Sequence, residues 1–126
     1  MILGIGADVV EVARVARLLA RYGERFVRRV LAPSEWPAYR ASVNPQLFVA
    51  SRFAAKEAFA KALGTGLRAP VLLTRIGITH DALGRPLLEL SPELQALSAD
   101  RGVHAHHVTL SHERSIACAF VVLEAV

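Results

Sequence analysis

The run from Pro45 to Leu63, "PQLFVASRFAAKEAFAKAL", closed by Gly64, constrains this chain more than any other stretch. Proline suits a helix's first turn, where the missing N–H has no partner to lose. Glycine suits the left-handed residue that ends the helix, so the run reads as one long helix. On a helical wheel Arg52 and Lys56 form one polar sector and Gln46, Glu57 and Lys61 another, with centres roughly 140° apart. One sector can face water, and the other then lies in a cleft. Ser51 and the alanines near Glu57 and Lys61 make that side shallow, which suits a flat, extended ligand. A surface i,i+4 pair between Glu57 and Lys61 is the plain alternative.

The rest of the chain reads as short elements around this helix. "ILGIGAD" (2–8) is expected as a buried strand. "EVARVARLLARYGERFVRRVL" places Val15, Leu19, Tyr22 and Phe26 at helical spacing, with a break near Gly23. Ser34 is expected to start a short helix that Pro37 limits. "TRIGITHDALGRPLLEL" is a hairpin turning at "DALG", "SPELQALSADRG" is a capped helix, and two strands flank "SHERS". This order indicates an α+β fold, a mainly antiparallel sheet packed against the long central helix.

No repeat or linker divides the 126 residues, so residues 1–126 read as a single domain. At 53% hydrophobic, the chain can build a core without disulfides, and the apolar surplus favours burial of one face against another copy. The lone Cys118 cannot pair internally, and "MILGIGADVVEV" has no basic leader and soon meets Asp8. A soluble, cytoplasmic protein with no membrane partner is expected. The formal charge of +4 favours an anionic partner without choosing among nucleic acid, phosphorylated metabolite or acidic protein.

Strand alternation puts Gly4, Gly6 and Asp8 on one side, so the Asp8 carboxylate is approached over two positions where a ligand or another backbone can come close. Asp8 also reads as a helix N-cap, with Glu11 completing a capping box. Asp8 and Glu57 together could hold Mg²⁺, which takes one or two protein carboxylates and fills its octahedron with water and phosphate oxygens. His104, His106, His107 and His112 lack a nearby thiolate or acidic pair and are split by alternation, which argues against zinc. Ser111 and His112 point to opposite faces and cannot form a hydrolase dyad. "GTGLRAP" follows a helix and lacks the lysine of a nucleotide loop, so it reads as a C-cap. Arg14, Arg17, Arg21, Arg25 and Arg28 recur at steps of three and four, with Leu18 at their border, as a surface for carboxylates or phosphates.

Taken together, "GIGADVVEVARV", "RFAAKEAFAKALGTG", "DALGRP" and "HVTLSHE" resemble the bacterial holo-acyl-carrier-protein synthases, small phosphopantetheinyl transferases, over nearly the whole chain. The resemblance implies transfer of the 4′-phosphopantetheine arm of coenzyme A to a serine of apo-acyl carrier protein, for fatty acid biosynthesis, with Mg²⁺ and release of adenosine 3′,5′-bisphosphate. It implies Asp8 and Glu57 as metal ligands and, with Lys61, as the catalytic set. It further implies that Arg52, Lys61, Gly64 and His112 meet the coenzyme, and that Arg14, Leu18, Arg21 and Arg25 dock the acidic carrier. A homotrimer with each coenzyme cleft between subunits is implied as well. Thr109 stands where serine is common and Leu83 where a polar turn residue is common. The general base stays open among a metal-bound water, Glu57 and Lys61. Two other readings are a nucleic-acid module, which lacks aromatic residues interleaved with the arginines, and a scaffold that has lost its chemistry.

Overall fold

The computed structural model describes residues 1–126. The chain runs β1 (Ile2–Glu11), α1 (Val12–Tyr22), α2 (Glu24–Val30), a 3₁₀ turn (Pro33–Glu35), α3 (Trp36–Ala41) and α4 (Pro45–Leu63). A second 3₁₀ turn (Leu73–Arg75) leads to β2 (Ile76–His80), β3 (Pro86–Leu90), α5 (Pro92–Asp100), β4 (Ala105–His112) and β5 (Ile116–Glu124). The fold is α+β with antiparallel strands throughout, divided into a three-stranded sheet, β1-β5-β4, and a two-stranded hairpin, β2-β3.

α4 has the bounds its sequence indicates. Asn44 accepts from the Leu47 N–H, Pro45 opens the first turn, and Gly64 closes the helix at φ 83°. The helix lies across β1 and β5, burying Ala54, Ala55, Ala58, Phe59 and Leu63 against Ala117, Ala119, Val121 and Leu123. Gly4 and Gly6 make this close approach possible, since a Cβ on either would stand 2.0 Å from the backbone oxygen of Ala62 or Ala58. The small residues near Glu57 and Lys61 therefore receive a strand rather than a flat ligand.

Three expectations are revised. Val9 and Val10 continue β1 instead of opening a helix, α1 begins at Val12, and Asp8 sits mid-strand opposite Ala119; it caps nothing. Ser34 lies inside the 3₁₀ turn rather than starting α3. β1 is also not buried on both faces. Ile5, Val9 and Phe120 are 70%, 63% and 54% exposed, on a sheet face shared with Cys118 and Val122 that no element of this chain covers. Gly23, at φ 57°, separates α1 from α2 where the sequence reading places a break, although Tyr22 beside it is exposed. The hairpin turns at Asp81–Gly84, where Asp81 Oδ1 accepts from the N–H groups of Leu83 and Arg85.

Candidate active site

β1 and α4 bring Asp8, Glu57 and Lys61 together. Lys61 Nζ donates to Asp8 Oδ1 at 3.0 Å and to the Ala7 backbone oxygen at 3.0 Å. The Glu57 carboxyl is pushed above the usual carboxylate range, first by partial burial and then by the Asp8 charge, while Lys61 and Arg14 pull it back. Two carboxylates that repel each other across a half-open rim form an oxygen-only donor set. Such a set fits a hard divalent ion, which relieves the repulsion and keeps positions for water and phosphate oxygens. No three His, Cys, Asp or Glu side chains converge anywhere, so the protein would supply two side-chain ligands at most here.

The other polar sector of α4 does not face water. Arg52 and Lys56 are the buried pair, and Lys56 is fully enclosed. Their partner is Glu35, a buried carboxylate that accepts from Lys56 Nζ and from the N–H groups of Ala32 at 2.8 Å and Ile78 at 3.1 Å. Lys56 Nζ also donates to the Val30 carbonyl. Burial pulls the Lys56 ammonium down to about 8, against the opposing pull of Glu35. Arg52 stacks on the Phe48 ring at 3.9 Å, with Nε 3.6 Å from Glu35 and without a hydrogen-bond partner. The sequence reading missed Glu35. Its signal is the demand of two basic residues on an otherwise apolar helix side for a buried carboxylate.

His112 ends β4 in register with Ala117 and, through it, with Val10, on the sheet face that α4 packs against. Strand spacing and rise put it on the order of 10 Å from Asp8, so the two do not touch. Gly64 borders a groove of about 330 Å³ with Thr65, Arg68, Leu97 and Arg101. Leu83 is exposed at the hairpin tip, and Thr109 pairs with Phe120 on the uncovered face.

Arg14, Arg17, Arg21, Arg25 and Arg28 are all exposed along α1 and α2, with Leu18 half-buried between them. Leu18, Tyr22, Arg25, Phe26 and Arg29 line a second groove of about 330 Å³. Arg14 stands over the Phe53 ring at 5.9 Å, and its charge reaches Glu57, so the basic face starts at the rim of the carboxylate pair.

A family model described as the 4′-phosphopantetheinyl transferase superfamily matches residues 4–121. The chain belongs to this superfamily. Among its members, the holo-acyl-carrier-protein synthase of Nitrosospira multiformis is 56% identical over 124 residues, 98% of this chain and 99% of that one. The crystal structure of the Neisseria meningitidis holo-acyl-carrier-protein synthase superposes with a TM-score of 0.95 at 43% identity, covering 98% of this chain and 99% of that one. The Helicobacter pylori synthase, solved in complex with coenzyme A, superposes at 0.83 with 30% identity, covering 95% and 99%. No helix of this superfamily member is long and apolar enough to cross a membrane.

Proposed function

We propose that this chain is a holo-acyl-carrier-protein synthase that moves the 4′-phosphopantetheine arm of coenzyme A onto a serine of an apo-acyl carrier protein. In the step, the serine oxygen forms a bond to the phosphorus that carries the pantetheine. The bond from that phosphorus to the bridging oxygen breaks, adenosine 3′,5′-bisphosphate leaves, and the serine proton passes to a base. The observation that carries this reading is the meeting of Asp8, Glu57 and Lys61 beside the exposed arginines of α1 and α2. Phosphoryl transfer depends on charge neutralisation and fixed orientation more than on covalent help from the protein.

Asp8 and Glu57 would hold Mg²⁺, which when bound supplies charge neutralisation of the pyrophosphate. Lys61 would contact phosphate oxygens. Arg52, Gly64 and His112 would also meet the coenzyme, Arg52 from the other side of α4, where it is held against Glu35 and Phe48. Arg14, Leu18, Arg21 and Arg25 face the acidic carrier, and electrostatic attraction there brings the serine toward the carboxylate rim. We extend the proposal to a homotrimer, supported by the uncovered apolar face of Ile5, Val9 and Phe120, and to the cytoplasm and fatty acid synthesis, supported by the family resemblance.

The test is incubation with apo-acyl carrier protein, coenzyme A and Mg²⁺, followed by mass spectrometry of the carrier. A phosphopantetheine addition that disappears with excess chelator is expected. No addition to the carrier overturns the reading, and full turnover in chelator overturns the two-carboxylate metal site alone.

A further inference from the structure

Two cations have a claim on Asp8. Lys61 Nζ rests in a two-oxygen seat on β1, 3.0 Å from Asp8 Oδ1 and 3.0 Å from the Ala7 carbonyl oxygen. Oxygens of this kind are what a hard divalent ion takes, and Glu57 stands alongside. An ammonium in that seat and a doubly charged ion on the same carboxylate would repel each other across a few ångström of half-open rim. The Lys61 side chain is 54% exposed on a flexible stem, so it can leave the seat without disturbing the core.

We propose that Lys61 is a resident counter-ion of Asp8 which the divalent metal displaces, so that loading the metal itself frees the ammonium for the substrate's phosphate. This rests on the reading of Asp8 and Glu57 as the metal site and goes beyond it. Lys61 has two working positions, and metal loading and phosphate capture become one coupled event. In the unloaded protein the ammonium keeps Asp8 paired beside a second carboxylate, which limits the repulsion that two adjacent acids would otherwise feel.

Lysine occurs only at positions 56 and 61, and Lys56 is fully enclosed. An amine-directed reagent at fixed pH and ionic strength therefore reads Lys61 by peptide mass spectrometry, with the terminal amine as internal reference. Adding Mg²⁺ to the coenzyme-free protein should speed Lys61 labelling about two- to fivefold, the range set by loss of an exposed ion pair. In Asp8→Asn, labelling should already be fast and insensitive to Mg²⁺. In parallel, Mn²⁺ binding followed by electron paramagnetic resonance should tighten by about the same two- to fivefold in Lys61→Met. Failure of either readout to move overturns the exchange, and if Asp8→Asn still weakens Mn²⁺ binding the metal site itself stands. Mn²⁺ affinity unchanged in Asp8→Asn removes the metal-site reading, and the exchange with it.

Discussion

Asp8 and Gly6 lie two positions apart on the same face of β1, yet substitutions there should fail in opposite ways. Asp8 lies mid-strand, so Asn in its place keeps the backbone and loses only the negative charge and an exposed pair with Lys61 worth about 0.2–1 kcal/mol. Asp8→Asn should melt close to the unaltered protein and lose most transferase activity, partly recovered at high Mg²⁺. Turnover like the unaltered protein at low Mg²⁺ would remove Asp8 from the metal site. Gly6→Ala brings a methyl within 2.0 Å of the Ala58 carbonyl oxygen, a backbone atom that cannot rotate away. α4 must lift off the strand, at a cost on the order of 1–3 kcal/mol or more. An unchanged denaturant midpoint for Gly6→Ala would contradict that packing.

At the scale of elements, α4 joins a buried ion pair on one side to the site on the other. Lys56→Met leaves Glu35 buried without its main cation, which should cost about 3–5 kcal/mol, and adding Glu35→Gln should recover part of it. A single variant as stable as the parent in chemical unfolding would mean the pair is not needed. The pH dependence has a definite sign. Lys56 loses its proton near pH 8 in the fold and near its ordinary 10.5 when unfolded, so between these values the unfolded chain holds more protons. The stability of the parent relative to Lys56→Met should therefore rise across that window, and a fall would contradict the burial. Much of this element was legible beforehand, because Pro45 and Gly64 bound it and chain geometry fixes the angle between its polar sectors. Which sector turns inward was not legible. That choice depends on Glu35, some twenty residues away in a 3₁₀ turn, and helical periodicity carries no information about partners outside the helix. β1 was read too short for a related reason, since "DVVE" satisfies a capping pattern locally and pairing with β5 overrides it. The hairpin was legible throughout, because Asp81 and Gly84 specify their own turn.

For the whole molecule, the proposed function gives the basic face and the uncovered sheet face different partners. Arg21→Glu should raise KM for the carrier while leaving KM for coenzyme A near the parent value, and the difference should shrink at high salt, because exposed charges are screened beyond about 8–10 Å. Equal rises in both would contradict the division. If the proposed trimer closes over this face, Phe120→Glu, which puts a charge in its middle, should shift sedimentation from trimer toward monomer, with loss of any cleft shared between copies. A trimer that survives this change would place the interface elsewhere. The same face carries Cys118, the only thiol in the chain, directly across from Val9. If copies close over this face as proposed, the protein contains its own assembly reporter, placed without engineering. A maleimide dye should react more slowly as protein concentration rises and copies close over the sheet, so its kinetics trace the association curve in a stopped-flow cell.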